Sequence, residues 1–272
     1  MTTKLRPDAG KPFNPNGNAQ NMSFVRSRKQ QRIVLLEATP QPVELDLAAT
    51  ALVVVDMQND FLHPEGWFAA RGVVSAPVTA VVPVVERLTS VIRRAGIPVI
   101  WLNWGIRADR ANLPESFVAK ARSARAPTYA EPSPSGRGRV LVRDNWGAAT
   151  IDQLTVDPSD ILVHKHRLSG FWDNEFDSIL RQRGITTLLF AGVNTDRCVF
   201  STLQDAGFLG YDCVLVEDAC ATVSPDFVRD AVLYLIRLLH GVVATSDAIF
   251  SAIGKPDPAP LPQTKALERS AP

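Results

Sequence analysis

The sequence predicts an α/β fold, a three-layer α-β-α sandwich around a mostly parallel sheet. Short Val- and Leu-rich runs alternate with amphipathic helical segments from Thr50 onward. Strands that are buried on both faces form such continuous apolar runs, and their alternation with helices favours parallel pairing. Polar residues stand at the ends of several of these runs. Because ligands bind beyond the carboxyl ends of the strands in such sheets, this edge is where we expect a functional site.

The elements follow one another along the chain with few interruptions. Strands are predicted at 51–55, 98–103, 140–142, 161–164, 187–191, 213–216 and 242–244, and helices at 77–94, 174–183, 196–207 and 225–240. Residues 105–137 between them are polar and Pro-rich and have little periodicity. A connection this long inside a compact domain is usually functional. We therefore expect it to shape a binding pocket.

The pattern divides the chain into three parts. Residues 1–46 form an N-terminal extension, 47–254 the α/β domain, and 255–272 a Pro-containing C-terminal tail. The extension holds several Pro and Asn residues and a basic run from Arg26 to Arg32. It is either a disordered tail or a segment that docks on the domain or on a neighbouring subunit. The apolar residues 33–36 favour docking.

Composition excludes several classes of function. Of the 272 residues, 46% are apolar and 21% charged, with a net charge of +1, so no broad basic field attracts nucleic acid or an anionic membrane. No apolar run approaches the roughly 18 residues of a membrane span, and the first residues lack the apolar core of a secretion signal. We expect a cytoplasmic protein. The chain has three cysteines, and such a small, odd number argues against a disulfide framework.

Cys198 follows a strand at the start of a helix, in the segment GVNTDRCV at 192–199. Asn194 and Thr195 are natural residues for the helix start. In the first helical turn, free N–H groups and the helix dipole favour a thiolate, and the same N–H groups can hold an oxyanion. The alternative is a cysteine that is simply buried against the sheet.

Two charged residues end other strands. Asp56 ends an apolar run, where a carboxylate is costly unless it is paired or functional; alternatively it caps the next segment. Lys165 ends another run, and its alternative is a solvated basic loop. A cysteine needs a base that takes its proton, and a carboxylate beside a cation can do so. We expect Lys165 to keep Asp56 ionised and to bond to the reacting group.

These residues resemble the isochorismatase-like cysteine hydrolases. The resemblance covers Thr50 to Gly254 and rests on VVVDMQNDF at 53–61, on Lys165 and on GVNTDRCV at 192–199, in that order. It implies that Asp56, Lys165 and Cys198 form a catalytic triad. It also implies a cis peptide between Val193 and Asn194, with the N–H groups of Asn194 and Cys198 as the oxyanion hole.

Departures from the family pattern narrow the expectation. Zinc-containing nicotinamidases of the family carry an Asp-x-His pair after the second strand, where this chain has Asn103, Trp104 and Gly105. We therefore expect no metal and no other cofactor, and assign His164 and His166 to local support. Isochorismatases proper generally lack the cysteine, so Cys198 indicates amide chemistry.

Within the family, residues 169–185 most resemble ureidoacrylate amidohydrolases. Residues 105–114 and 135–137 most resemble biuret and triuret hydrolases. Both resemblances imply a small urea-like amide substrate. The substrate-binding candidates, which core packing could equally explain, are Gln58, Asn59, Phe61, Asn103, Trp104, Phe171 and Trp172. A non-catalytic binder or thiol sensor, and a hydrolase of an ester or vinyl ether, stay open as alternatives. The family resemblance also implies a homo-oligomer, a dimer or tetramer.

Overall fold

A computed structural model describes residues 30–122 and 126–254 of the chain. Its strands are β1 (Ile33–Leu36), β2 (Val43–Asp46), β3 (Thr50–Val55), β4 (Val99–Trp104), β5 (Ile161–Lys165), β6 (Thr187–Val193), β7 (Asp212–Ala221) and β8 (Val242–Ala244). The last six form one sheet in which every neighbouring pair is parallel, in the order β5-β4-β3-β6-β7-β8. The predicted fold class is confirmed.

The helices pack around this sheet. They are α1 (Asn59–Leu62), α2 (Trp67–Ala70), α3 (Ala76–Thr79), α4 (Val82–Arg94), α5 (Glu115–Ala121), α6 (Phe176–Arg183), α7 (Phe200–Phe208), α8 (Asp226–Leu235) and α9 (Ser246–Ile253). Every residue of β3, β4 and β6 is buried, as expected for strands that are covered on both faces. The edge strand β5 is partly exposed.

Gly192 lets the two central strands approach each other. A Cβ atom at this position would lie 2.1 Å from the Val55 carbonyl oxygen, and the residue has a φ of 111°. Only glycine adopts such a conformation readily and leaves this space empty. The requirement falls at the carboxyl end of β6, next to the site described below.

The sheet reverses its direction of growth between β3 and β6. Strands β3, β4 and β5 follow one another towards one edge, and β6, β7 and β8 towards the other. Connections therefore leave this point in opposite directions, which opens a crevice at the carboxyl ends of the two strands. Asp56 follows β3 and Cys198 follows β6, so the fold places both at this crevice.

Several elements differ from the sequence-based prediction, among them two helices and one strand. The helix predicted over 77–94 is two helices, because Pro83 lies in the first turn of α4 and a proline starts a helix more readily than it continues one. The strand predicted over 140–142 is wrong: Leu141 has a φ of 53°, and only Val142 forms a single bridge, to Ile106. The helix predicted from Asp196 is preceded by a π-helical turn, Thr195–Val199.

Residues 33–46 form an antiparallel hairpin of β1 and β2. Leu36 and Leu45 are buried in the main core, and Thr39 forms a bridge with Val243 of β8. Residues 1–29 of the predicted extension and the predicted tail 255–272 lie outside the described residues, so the domain boundaries drawn from the sequence stay a prediction. Within the described ranges, no helix has the length and apolarity needed to cross a membrane.

Candidate active site

The three charged and nucleophilic residues predicted from the sequence lie together at the carboxyl edge of the sheet. Lys165 Nζ is 3.0 Å from Asp56 Oδ2. Cys198 is linked to this ion pair through Trp104, whose indole Nε1 lies 3.4 Å from Cys198 Sγ and whose ring centroid lies 4.2 Å from Lys165 Nζ. Asp56 is 1%, Lys165 0% and Cys198 6% exposed. An ammonium, a carboxylate and a thiol thus share one buried space.

Asp56 has an unusual backbone conformation that bears on where its carboxylate points. The residue follows β3 with a φ of 53°, in the left-handed region that side chains other than glycine seldom adopt. In extended backbone successive side chains alternate between the two faces of a sheet. If Asp56 continued β3 in extended conformation, its side chain would lie on the same face of the sheet as that of Asn103. The side chains of Trp104 and Lys165 lie on the opposite face. The left-handed turn interrupts the alternation where the carboxylate meets Lys165.

Trp104 joins the cysteine to the lysine. It is the last residue of β4 and pairs in register with Lys165, the last residue of β5. Its indole Nε1 donates to Cys198 Sγ at 3.4 Å, and Lys165 Nζ lies 4.2 Å from the centroid of its ring system. One side chain therefore contacts both the sulfur and the ammonium.

Gln58 holds the main chain of Trp104 in place. Its Oε1 accepts from the Trp104 backbone N–H at 2.9 Å, and its Nε2 donates to the carbonyl oxygens of Trp104 at 2.8 Å and Ala148 at 2.6 Å. Both amide hydrogens and the amide oxygen are thus occupied by main chain. Gln58 was a substrate-binding candidate from the sequence; we correct this, because its amide supports the site wall.

Burial of the site shifts the pKa values of Cys198 and Asp56 and so determines their protonation before a reaction begins. It raises the pKa of the Cys198 thiol to about 12, and the neighbouring Asp56 charge acts in the same direction. Burial also raises the pKa of Asp56, while the Lys165 ammonium opposes that shift. The resting sulfur is therefore a neutral thiol, and its proton must be removed by a neighbouring group during any reaction.

Buried polar atoms without hydrogen-bond partners concentrate at this edge. Within the described residues they are Asp56 Oδ1, Asp56 Oδ2, Asn103 Oδ1, His164 Nδ1 and Thr195 Oγ1, which lie in or just after β3, β4, β5 and β6. Although Lys165 is at ion-pair distance, neither Asp56 oxygen accepts a well-aligned hydrogen bond. Buried polar atoms are nearly always satisfied in folded proteins. These atoms are therefore available for hydrogen bonds with a bound molecule.

The cysteine-bearing turn is anchored from two sides. Asp196 accepts hydrogen bonds from the hydroxyls of Thr222 and, at 2.7 Å, of Ser224. The Thr202 hydroxyl donates to the Cys198 carbonyl oxygen at 2.6 Å. The peptide bond between Val193 and Asn194 is cis. These contacts fix the position of the turn and of the sulfur that it carries.

Phe117 and Tyr129 form an aromatic wall that sequence reasoning did not identify. Both rings stack on Trp104, with centroids 5.8 Å and 5.6 Å away. Burial raises the pKa of the Tyr129 hydroxyl, and the negative charge of Asp56 acts in the same direction. Both residues lie in the segment 105–137, in which residues 123–125 are outside the described part. The length of that segment was the only sequence signal for their role.

Beyond Phe117 lies an open groove of about 530 Å³. Its walls are Pro114, Phe117, Arg167, Leu168, Ser169, Trp172, Ser201, Gln204 and Asp205. Phe117 is therefore shared between the groove and the ring stack on Trp104, whose indole contacts Cys198.

Other substrate-binding candidates have protein partners. Asn59 Nδ2 donates to the Trp146 carbonyl oxygen at 2.9 Å, and Phe61 packs edge-on against Phe68. The Phe171 ring packs on Phe176 and Tyr211. These contacts give Asn59, Phe61 and Phe171 structural partners, and their assignment to substrate binding stays a prediction.

Trp172 and Asn103 differ from these. Trp172 is 57% exposed, lines the groove, and donates from its indole Nε1 to Asp205 Oδ2 at 2.7 Å. Asn103 lies at the carboxyl edge, where its Nδ2 donates to Thr150 and its Oδ1 is unpartnered. Trp104 is thus the substrate-binding candidate that contacts the triad, whereas Asn103 offers a buried, unpartnered amide oxygen at the same edge of the sheet.

The histidines beside the lysine have neighbours in the protein. His166 Nε2 lies 3.5 Å from Asp173 Oδ2, and the His164 ring packs on Gly105. Within residues 30–122 and 126–254, no group of three or more His, Cys, Asp or Glu side chains is arranged to hold a metal ion.

Comparison with known proteins agrees with this geometry. Residues 50–248 match the isochorismatase domain. The chain belongs to the isochorismatase family. A ureidoacrylate amidohydrolase of Azorhizobium caulinodans is 35% identical over 211 residues, which cover 78% of this chain and 93% of that protein. One of Methylobacterium radiotolerans is 35% identical over 229 residues, covering 84% and 88%. The family expected from the motifs is confirmed.

Solved structures of isochorismatase-family proteins share the fold. A cysteine hydrolase of Pseudomonas syringae pv. phaseolicola superposes with a TM-score of 0.64 over 83% of this chain and 98% of that one, at 24% identity. An N-carbamoylsarcosine amidase of Thermoplasma acidophilum gives a TM-score of 0.57 over 73% and 96%, at 28% identity.

Proposed function

We propose that this isochorismatase-family protein is a cysteine amidohydrolase that cleaves a C–N bond of a small, linear, urea-like amide and releases ammonia. The observation that carries the proposal is the buried contact of Asp56, Lys165 and Cys198 beside Trp104. The names of its relatives support it, since the ureidoacrylate and N-carbamoylsarcosine enzymes act on compounds with an N–C(=O)–N group.

The first half of the proposed reaction forms an acyl-enzyme. Asp56 takes the thiol proton of Cys198 as the sulfur attacks the carbonyl carbon. The backbone N–H groups of Asn194 and Cys198 hold the resulting oxyanion. Asp56 then returns the proton to the amide nitrogen, the C–N bond breaks, and ammonia leaves.

The second half releases the acid product. Asp56, again a carboxylate, takes a proton from water as its oxygen attacks the thioester carbon. The C–S bond breaks, and the proton returns to the sulfur. Lys165 stabilises the carboxylate form of Asp56, which the pKa shift caused by burial would otherwise disfavour.

Asn103 is the proposed polar anchor for the substrate. Its Oδ1 is buried without a partner, while its Nδ2 donates to the Thr150 hydroxyl at 3.0 Å. A free amide oxygen accepts hydrogen bonds from N–H groups, and urea-like amides carry N–H groups on both sides of the carbonyl. This match favours such a substrate over an ester, which has no N–H group to offer.

The test is an ammonia-release screen of the purified full chain against ureidoacrylate, biuret, guanylurea, carbamoyl amino acids and nicotinamide, with matched esters measured by acid release. We expect ammonia from at least one urea-like compound and a weaker reaction with the esters. The proposal fails if the esters are hydrolysed and none of the amides releases ammonia. A candidate substrate that passes is then tested with Asn103→Ala, which should raise KM.

We also propose a cytoplasmic homo-oligomer, a dimer or tetramer. Its motivation is an apolar surface: Phe227 and Tyr234, seven residues apart on α8, are 72% and 61% exposed, and Leu238 is 58% exposed. Exposed patches of this kind commonly mark protein interfaces. Light scattering of the wild type should give a multiple of 29.7 kDa, and Tyr234→Asp should lower that multiple. A monomeric wild type would contradict the proposal.

A further inference from the structure

We propose that Trp104 is a catalytic residue whose indole N–H stabilises the Cys198 thiolate, and that Lys165 strengthens this hydrogen bond through the indole ring. The inference rests on the proposed function, because it assigns a role in the same reaction. It differs from a wall or stacking role, in which the ring face matters and the N–H group does not.

Trp104 Nε1 lies 3.4 Å from Cys198 Sγ, within hydrogen-bonding distance. Trp104 is 1% and Cys198 6% exposed, so water does not compete freely for this contact. A thiol sulfur is a weak acceptor, whereas hydrogen bonds to an ionised group are about twice as strong as neutral ones. The bond therefore becomes stronger when Asp56 removes the thiol proton. Only an interaction that strengthens along the reaction accelerates it.

Lys165 contacts both the Asp56 carboxylate and the Trp104 ring. Its Nζ lies 3.0 Å from Asp56 Oδ2 and 4.2 Å from the centroid of the Trp104 ring system. A cation over an aromatic face draws on the π electrons of the ring, which leaves the N–H group more positive and a better donor. One ammonium thus acts on the base directly and on the nucleophile through the indole.

Both the main chain and the ring of Trp104 are held by neighbouring side chains. The Gln58 side chain bonds its backbone N–H and carbonyl oxygen at 2.9 and 2.8 Å. The rings of Phe117 and Tyr129 stack on its indole. A donor that is fixed before the reaction needs no reorganisation as charge develops, which is the condition for effective electrostatic stabilisation.

The proton balance assigns Trp104 no transfer of its own. The S–H proton moves to Asp56, the indole keeps its N–H, and the negative charge passes from the carboxylate to the sulfur. The same donor acts again when the C–S bond of the acyl-enzyme breaks and the sulfur leaves with the electron pair. Both halves of the reaction should therefore depend on it.

The test replaces Trp104 with benzothienylalanine, in which sulfur takes the place of the indole N–H while ring size and stacking are retained. Trp104→Phe is the simpler second variant. We expect kcat to fall about 10- to 100-fold with little change in KM, the effect of one hydrogen bond to a charged group. Alkylation of Cys198 by iodoacetamide at fixed pH, followed by peptide mass, should slow by a similar factor.

Trp101, three residues earlier on β4, provides the matched control. Its indole Nε1 donates to Asp160 Oδ2 at 2.8 Å, so benzothienylalanine there also removes one indole hydrogen bond from the same strand. That variant should keep the wild-type kcat and Cys198 alkylation rate. The Cys213 and Cys220 peptides serve as internal references, since both cysteines are buried elsewhere.

The inference is overturned if benzothienylalanine at position 104 leaves both kcat and the alkylation rate within about 2-fold of the wild type, or if KM alone rises. Either result would make Trp104 a wall of the pocket only. Failure of the proposed function has a different signature, because the wild type would then release no ammonia. The alkylation measurement requires no substrate and is informative in both cases.

Discussion

Asp56 and Asp60 are two buried carboxylates of one short segment, and they differ in every contact that matters for chemistry. Asp60 Oδ1 accepts from the Trp67 backbone N–H at 3.2 Å, and Oδ2 from the Leu141 backbone N–H at 2.8 Å. Neither oxygen of Asp56 accepts a well-aligned hydrogen bond; instead, Lys165 and Cys198 lie beside it. Burial raises the pKa of both carboxyl groups.

The comparison teaches that burial alone does not distinguish a structural acid from a reactive one. The Asp60 oxygens are occupied by main-chain donors, so this carboxylate ties the segments around residues 67 and 141 to α1. The Asp56 oxygens have room to exchange a proton with the neighbouring sulfur. A perturbed pKa is a signal of function only when it comes with a partner for proton transfer.

The largest expected effect is that of Asp56→Asn. Asparagine keeps the shape of the side chain but cannot take the thiol proton. General base catalysis contributes about 100- to 10,000-fold, so kcat for ammonia release should fall by about 1,000-fold per folded molecule. Circular dichroism would establish that the variant is folded. Activity within 10-fold of the wild type would remove Asp56 from the mechanism.

Lys165→Met should change the pH dependence as well as the rate. The base must be deprotonated to act, so kcat/KM rises with pH through the Asp56 pKa, which burial places above its ordinary 3.8. Loss of the opposing ammonium raises that pKa further and moves the acid limb to higher pH. The pH profile should therefore recover part of the lost activity under alkaline conditions. An acid limb that does not move would contradict this role of Lys165.

Asp60→Asn should affect stability rather than chemistry. One amide oxygen cannot replace both carboxylate oxygens, so a backbone N–H of Trp67 or Leu141 loses its acceptor. A buried unsatisfied group costs about 1–3 kcal/mol, and the denaturation midpoint should fall accordingly. The kcat per folded molecule should stay within a few-fold of the wild type. A loss of kcat as large as that of Asp56→Asn would erase the distinction between the two carboxylates.

The smallest expected effect concerns access to the site. The Phe117 ring stands between the groove and Trp104, so Phe117→Ala should speed alkylation of Cys198 by iodoacetamide several-fold and change KM modestly. Leu168→Ala provides a control, since Leu168 lines the same groove. Equal alkylation rates in wild type and Phe117→Ala would show that reagents reach the sulfur by another route.

Much of this arrangement could be predicted from the sequence, because strand ends and parallel topology follow from patterns of local residues. Asp56, Lys165 and Cys198 each end or follow an apolar run, and the carboxyl ends of parallel strands meet at one edge. The family resemblance supplied the roles. The same reasoning predicted Asn103 and Trp104 at this edge.

Other features depend on contacts between distant segments and leave no periodic signal. The left-handed Asp56, the Gln58 contacts with Trp104, and the stacking of Phe117 and Tyr129 all result from tertiary packing. Residues 140–142 illustrate the limit: three apolar residues predict a strand, yet the Leu141 backbone N–H bonds to Asp60, and Leu141 adopts a left-handed conformation. A pattern of three residues is too short to outweigh such a contact.

The most direct test of the account compares Cys198→Ala with Cys213→Ala in the ammonia-release assay. Both remove a buried thiol, but the Cys213 thiol packs in the apolar core and donates to main-chain carbonyl oxygens at 3.5 Å, whereas Cys198 lies beside Asp56 and Trp104. We expect no ammonia release from Cys198→Ala and near wild-type release from folded Cys213→Ala. Ammonia release by Cys198→Ala at a rate near that of the wild type would contradict the assignment of this sulfur as the nucleophile.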